Sequence, residues 1–212
     1  MKKIIFSFIV MATVLACSNP TSTTNTSEAE KVPDKSELAN LGDRIVIDTD
    51  SSLVFWKGTK PTGDIHVGTV NIKEGILYIA NGNVKGGMFV MDMNSILVTD
   101  EDMSEKGKRK LKKHLTNEDF FETNNFPEAI LEITSSTADS LTANLEIKNI
   151  TKSITIPYSL TKANGRITAN SSFSIDRTLW GITYKSGNFF SNLANRLIDD
   201  AIQFEIKLSG KE

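Results

Sequence analysis

The sequence has little of the residue types that build metal, redox or nucleic-acid sites. It contains one cysteine and two histidines among 212 residues. These counts exclude an intrachain disulfide and leave too few ligands for a Cys/His metal site. Basic residues number 24 and acidic residues 26, so the chain lacks the basic surplus of proteins that coat nucleic acid. We therefore expect no metal, no cofactor and no nucleic-acid partner.

Sequence motifs for catalysis are also missing. His66 and His114 do not form an H-x-x-x-H or H-E-x-x-H pattern, which argues against a zinc enzyme. No G-x-S-x-G nucleophile elbow occurs, and the glycine-rich residues 82–87 indicate a hairpin because no G-K-[ST] follows them. An enzyme would need a polar cluster around His114 and Arg177. The sequence favours a protein that is not an enzyme.

A short hydrophobic segment opens the chain. Lys2 and Lys3 precede a mostly apolar stretch that runs from Ile4 to Ala16. As a helix this stretch would rise about 20 Å, which is too short for a hydrocarbon core about 30 Å thick. Residues 1–16 are therefore predicted to be a secretory signal peptide and not a transmembrane anchor.

Residues 14–17 (VLAC) resemble the bacterial lipobox, in which the cysteine thiol is diacylated, the signal peptide is cut before the cysteine, and the new amino terminus is acylated. This resemblance implies that Cys17, the only cysteine, is the lipid attachment site and carries acyl chains such as palmitate. Ser18 stands where an aspartate would signal retention in the inner membrane. We therefore expect a cell-envelope lipoprotein, anchored in the outer membrane and facing the periplasm. The alternative is an ordinary signal peptide followed by an incidental cysteine.

A polar segment separates this cysteine from the rest of the chain. Residues 18–27 are all Ser, Thr or Asn except Pro20, and residues 28–37 are rich in charge. Such a composition cannot bury enough apolar surface to offset the loss of chain entropy. Residues 17–42 are therefore predicted to be a lipid-anchored, disordered tether, and residues 43–212 a single folded domain.

The folded domain has the periodicity of β-strands. Apolar and polar residues alternate in residues 154–161, 167–175 and 202–209, which is typical of antiparallel strands with one solvated face. About eight such strands predict an all-β barrel or sandwich. Residues 101–119 interrupt the pattern and predict a short charged helix or loop. Its six basic residues between 106 and 113 favour a solvated helix over an anionic-lipid patch, because acidic residues flank them.

Motifs throughout the domain resemble the YceI-like family, whose members have a lipocalin-like barrel that binds lipids or polyisoprenoids. The resemblance extends over about 160 residues, and six segments follow the order of the family. The matching segments are residues 51–56 (SSLVFW), 86–93 (GGMFVMDM), 114–121 (HL with DFF), 125–129 (NFPEA), 145–154 (LEIKNITKSI) and 175–190 (IDRT, WGI and SGNFF).

This resemblance implies an antiparallel, lipocalin-like barrel of about eight strands with a short helical insertion. It also implies that the barrel encloses a polyisoprenoid or another long-chain amphiphilic lipid, for carriage, storage or sequestration. An eight-stranded barrel can hold one slender ligand among its inward side chains. The alternative is a structural or interaction module of the envelope, whose barrel is filled by its own side chains. The candidate partners are the lipid ligand, the membrane and, in a homodimer, a second copy of the chain.

The matching segments supply the candidate site residues. Each large apolar side chain among them could line a ligand tunnel and its mouth, or could pack the core. His114 could contact a ligand headgroup or anchor the helix, and Arg177 could face a pyrophosphate or form a structural ion pair. The candidates for the tunnel are Trp56, Phe89, Met91, Phe121, Phe126, Phe173, Trp180, Phe189 and Phe190.

Overall fold

The computed structural model describes residues 24–34, 37, 40 and 42–211 of the chain. The predicted signal peptide, residues 1–16, and the predicted lipidation site, Cys17, lie outside these residues. Both remain predictions from the sequence. Within the described ranges, no helix is long and apolar enough to cross a membrane.

Eleven strands dominate the described part of the chain, and one helix of three turns stands between the fifth and sixth strands. The strands are β1 (Asn25–Glu28), β2 (Asp43–Ile47), β3 (Leu53–Thr59), β4 (Ile65–Ala80), β5 (Asn83–Val98), β6 (Glu128–Ser136), β7 (Ser140–Ile147), β8 (Ile150–Pro157), β9 (Ser159–Ala163), β10 (Arg166–Asp176) and β11 (Ala201–Lys211), and the helix is α1 (Glu105–Thr116).

Ten of these strands form a closed antiparallel barrel with eight positions. Strands β2 and β3 share one position, because both pair with β4 and β11. Strands β8 and β9 share another, because β8 pairs with β7 and β9 pairs with β10. The predicted all-β barrel with a short helix is confirmed. The strand number of about eight is too low, because two positions are interrupted and β1 is additional.

The interruption between β8 and β9 has a local cause. Pro157 ends β8 and has no backbone N–H to donate to a neighbouring strand. Its carbonyl accepts a hydrogen bond from the Ser171 hydroxyl of β10 at 2.6 Å. Tyr158 donates its N–H to Asp139 in the β6–β7 turn. At this point the chain therefore changes its partner from β7 to β10.

One end of the barrel, called the α1 end here, carries the longer connections. Helix α1 joins β5 to β6 there, and two short 3-10 helices, Arg177–Trp180 and Ala194–Arg196, lie in the connection from β10 to β11. The Ser104 hydroxyl caps α1 by accepting a hydrogen bond from the N–H of Gly107 at 3.2 Å. The turns β4–β5, β6–β7 and β9–β10 lie at the opposite end.

The segment that precedes the barrel is not a free tether throughout. Strand β1 pairs with the edge of β8 that faces away from β7, and the Thr24 hydroxyl donates to the Ser174 carbonyl of β10. β1 therefore fills the gap between β8 and β10. The disorder predicted for residues 17–42 is wrong for Asn25–Glu28, because ladder hydrogen bonds between backbones need no apolar side chains.

After β1 the chain crosses the outside of the barrel towards β6. The Asn144 side chain of β7 donates to the Glu30 carbonyl at 2.6 Å and accepts from the Glu30 N–H at 2.8 Å. The Thr134 hydroxyl of β6 donates to the Glu30 carboxylate at 2.9 Å. The contact with Glu30 explains why Asn144 is buried although it lies on the outer face of the barrel.

Replacing Asn144 with alanine is expected to release the chain around Glu30 from the outside of the barrel. The Glu30 backbone would lose both partners, and the cost is about 1–3 kcal/mol. Hydrogen exchange should therefore become faster for the N–H groups of β1 and Glu30 than in the parent protein. Thr142→Ala, two residues away on the same strand, is the control and should leave this exchange unchanged. Equal protection of β1 in both variants would contradict the bracing role of Asn144.

Candidate functional site

A cavity of about 510 Å³ runs through the barrel. Its volume lies within the range of small-molecule sites. All eight positions of the barrel contribute lining side chains, and most of these are aliphatic or aromatic. The apolar lining includes Val54, Val70, Ile72, Leu77, Val84, Met93, Ile96, Ala129, Leu131, Ile133, Leu141, Leu145, Ile147, Ile156, Ala169, Ile202, Ile206 and Leu208.

The alternation of side chains along each strand produces this lining. In β11, every second residue from Ile202 to Leu208 faces the cavity. In β4 and β5 the alternation shifts, because the register between these strands changes at three places. Each irregularity moves the inward face by one residue. The long β4–β5 pair therefore curves around the cavity while keeping apolar side chains inside.

Two aromatic rings lie against glycines of the neighbouring strand. Trp56 of β3 pairs with Gly68 of β4, and Phe89 of β5 pairs with Gly75 of β4. A methyl group at Gly68 would overlap the Trp56 ring and the Leu97 carbonyl oxygen, and one at Gly75 would approach the Phe89 ring within 2.8 Å. The glycines thus let both rings lie flat on the barrel wall beside the cavity.

Polar lining groups gather at the α1 end. Lys60, Lys110 and Lys185 are at least partly exposed there. The Lys60 ammonium is 2.9 Å from the Asp64 carboxylate, and this hydrogen bond lowers the pKa of Asp64. Lys185 lies over the Tyr184 ring at 4.8 Å from its centroid. Lys110 has no ion-pair partner among the described residues.

Two histidines also line this end of the cavity. The Nδ1 atom of His66 is 2.8 Å from the Asp100 carboxylate, which also accepts the Val67 N–H. The Nδ1 atom of His114 approaches Asp119 to 3.2 Å without hydrogen-bond geometry, and its ring lies 5.6 Å from that of Tyr184. Among the described residues, no group of histidines and acids could hold a metal ion.

Arg177, a candidate headgroup contact or structural ion pair, lines the cavity and is held by the protein's own groups. Its side chain is fully buried, and it donates to the carbonyls of Ile182, Ile198 and Asp199 at 2.6–3.2 Å. Burial lowers the pKa of its guanidinium, and the carboxylate of Asp200, 3.2 Å away, acts in the opposite direction. Arg177 therefore braces the β10–β11 connection with its donors, and its side chain also lines the cavity at the α1 end.

The other predicted residues divide into two groups. Five of the nine tunnel candidates line the cavity: Trp56, Phe89, Met91, Phe121 and Phe173. The other four do not. Phe126 lies 5.9 Å from Lys148, Trp180 is buried and donates its indole N–H to the Leu145 carbonyl, and Phe189 and Phe190 are exposed.

Sequence reasoning did not place three further aromatic residues at the cavity. These are Tyr158, Tyr184 and Phe204. The alternation in β11 was a usable signal for Phe204, since it shares its face with Ile202 and Ile206. Tyr184 lies in an irregular loop, where no periodicity could indicate its direction.

The arrangement is suited to holding a long apolar group with a polar end. Along most of the barrel the cavity offers no charged group, and the lining cations lie at the α1 end. Ser171 and Asn170 are polar exceptions on β10, and the Ser171 hydroxyl is already donated to Pro157. Such a cavity has the apolar walls and the few polar groups that small-molecule sites require.

Comparison with known proteins agrees with this fold. BcnA of Burkholderia cenocepacia has a TM-score of 0.59 at 15% identity, covering 77% of this chain and 98% of that one. A polyisoprenoid-binding domain from Saccharophagus degradans has a TM-score of 0.57 at 13% identity, covering 79% and 97%. A mutant YceI protein of Campylobacter jejuni has a TM-score of 0.52 at 17% identity, covering 68% and 84%.

A search of curated proteins gives no significant match. The model of the YceI-like domain family, however, matches residues 46–209. These residues include nearly the whole barrel, from β2 to β11. The resemblance read from the sequence motifs is thereby confirmed, and the protein belongs to the YceI-like domain family.

Proposed function

We propose that the barrel binds one polyisoprenoid or similar long-chain lipid, with the tail in the cavity and the headgroup at the α1 end. The observation that carries this proposal is the polarity of the cavity: apolar side chains line its length, and the lysines and histidines lie at one end. The fold shared with a polyisoprenoid-binding domain supports it. Five of the aromatic and methionine candidates identified from the sequence would contact the tail.

The energetics favour a long chain. Each CH₂ group moved from water into the cavity contributes about 0.8 kcal/mol, so ten such groups contribute about 8 kcal/mol. Association itself costs at least about 4 kcal/mol in lost freedom of motion. A chain of ten carbons would thus bind only weakly, and micromolar affinity, about 8 kcal/mol net, requires a longer tail. The polar groups at the α1 end then orient the ligand.

Its proposed place is the cell envelope. A lipid-anchored protein in the outer membrane, facing the periplasm, could carry, store or sequester such a lipid. The support is the lipobox-like residues 14–17 and the hydrophobic segment before them. Cells that express the protein should incorporate labelled palmitate into it, and Cys17→Ser should abolish this label. An unlabelled parent protein would contradict the lipoprotein assignment.

The interaction-module alternative has weaker support, because a barrel filled by its own side chains would leave no cavity of this size. We propose a binding role without catalysis. The lining groups at the α1 end, which include His66 with its partner Asp100, then contact the headgroup.

A titration with prenyl alcohols of increasing length tests the proposed binding. Trp56 and Trp180 are the only tryptophans, and Trp56 alone lines the cavity. A dansyl-labelled prenyl alcohol should therefore accept energy from Trp56. The signal should saturate at one ligand per protein molecule, and binding should become tighter with each added isoprene unit. Trp56→Phe is the control for the origin of the signal. No saturable binding at any chain length would contradict the proposal.

A further inference from the structure

The exposed apolar side chains of the barrel are concentrated at one end. Six of the seven large hydrophobic residues that are exposed in the described part lie at or near the α1 end. Ile65 and Ile150 begin strands at this end, Leu97 is next to the last residue of β5, and the others follow β10. The six are Ile65, Leu97, Ile150, Leu179, Phe189 and Phe190.

Phe189 and Phe190 are the largest of these groups. They are 57% and 49% exposed and are adjacent in the β10–β11 connection. The loop that presents them is held in place: both N–H groups donate to the Ser186 carbonyl, and the Ser186 hydroxyl donates to Asp200 at 2.9 Å. Two fixed, exposed phenylalanines are unusual on a soluble surface and typically mark an interaction site.

Basic residues accompany this apolar surface. Helix α1 carries six basic residues and one acidic residue, Glu105, and Lys108 pairs with Glu105. The other five basic residues have no ion-pair partner in the described part of the chain. Of the acidic neighbours, Asp100, Asp119 and Glu122 are engaged by His66, His114 and Lys148. Glu101, Asp102 and Glu118 lie at the two ends of α1 and offset part of this charge.

The start of the described chain lies on the same half of the barrel. Thr24 bonds to Ser174, two residues before β10 ends at Asp176. Thr24 is only seven positions after Cys17, and this stretch spans at most about 25 Å when it is fully extended. An anchor at Cys17 would therefore keep the α1 end near the membrane surface.

From these observations we infer that the α1 end docks onto a bilayer that contains anionic lipids. The phenylalanines would enter the interfacial region, and the lysines and Arg109 of α1 would lie among the headgroups. Docking goes beyond the proposed lipid binding and does not require an occupied cavity. If a lipid is bound, docking brings the polar end of the cavity to the bilayer, where exchange can occur.

The test measures the depth of single positions in the membrane. Two variants of the full chain, Phe189→Cys and Val46→Cys, are purified from cells, and the introduced cysteine is labelled with bimane. The parent chain is treated with bimane in parallel, so that any reaction at Cys17 is measured. Val46 is 52% exposed and lies at the opposite end of the barrel, so it is a matched control. Each protein is mixed with vesicles of phosphatidylcholine, alone or with 30% phosphatidylglycerol, that contain a lipid-borne quencher.

On vesicles with phosphatidylglycerol we expect the bimane emission at position 189 to shift to the blue and to be strongly quenched. The bimane emission at position 46 should show neither effect. Lys106→Glu together with Arg109→Glu should weaken the effect at position 189 at least tenfold, since each basic residue contributes about fivefold. Equal exposure of positions 189 and 46 on both vesicles would overturn the inference. Protection of position 189 that appears only when a membrane protein is added would also overturn it. Because the readout is depth and not lipid content, its failure would leave the proposed cavity binding untouched.

Discussion

Replacing Ala129 and Ala169 together with phenylalanine is expected to abolish lipid binding while the barrel still folds. Both alanines line the cavity, Ala129 from β6 and Ala169 from β10. Each new ring would occupy space that the lipid tail uses. If the two rings displace four CH₂ groups, binding weakens by about 3 kcal/mol, or more than 100-fold. The added rings enter a cavity and not a filled core, so the usual cost of overpacking should be small.

The same titration with dansyl-labelled prenyl chains measures this loss. Ala138→Phe with Ala163→Phe is the matched control, because both alanines are exposed at the opposite end of the barrel. The control should bind with the parent affinity, and both double variants should show the circular dichroism of the parent. Unchanged affinity in the cavity variant would mean that the lipid binds elsewhere.

Arg177→Met is expected to destabilise the protein by about 3–5 kcal/mol. The guanidinium is fully buried and donates to three backbone carbonyls of the β10–β11 connection. Methionine would fill much of the space but would leave these carbonyls without their donor and the carboxylate of Asp200 without its cation. A buried acceptor without a partner costs its full desolvation energy.

Denaturant unfolding measures this effect, with Arg166→Met as the control. Arg166 is half exposed, donates to Ser209 at 2.8 Å and lies 3.9 Å from Asp48. Its loss should cost less than about 1 kcal/mol, as is usual for surface pairs. If Arg177→Met lost little stability but much lipid affinity, the result would contradict the bracing role. It would instead support a contact between Arg177 and the ligand headgroup.

The β-class of the fold was predictable because apolar and polar residues alternate without interruption in several strands. In β10 and β11 the apolar residues predicted to share a face do share it, and most of them line the cavity. The β4–β5 pair was less predictable, since its register shifts near Asn71, Glu74 and Ile79. A bulge depends on the fit between two strands, and one strand's sequence does not determine it.

The division of the aromatic residues into cavity and surface was not predictable either. Trp180 is buried beneath the β10–β11 connection because its indole N–H finds the Leu145 carbonyl at 3.0 Å. Phe189 and Phe190 are directed outwards by the loop that Ser186 holds. These outcomes depend on contacts between residues that are distant in sequence or lie in irregular segments, where no period is available.

Strand β1 shows that the composition of a segment does not by itself predict whether the segment is ordered. Its sequence, NTSE, has no apolar residue, and low hydrophobicity favours disorder. The segment is ordered because β8 offers a free edge, with Glu28 paired to Lys152 at 2.7 Å. A free strand edge is a property of the assembled barrel, so only the three-dimensional structure could indicate its occupant.

Native mass spectrometry of the full chain, purified from membranes in mild detergent, tests the central claim most directly. We predict one non-covalently bound lipid per chain, with a long prenyl or acyl tail, which is released on activation and absent from the Ala129→Phe, Ala169→Phe variant. A parent protein that carries no such lipid, and that takes up no polyprenol when it is supplied, would contradict the claim that the barrel is a lipid-binding container.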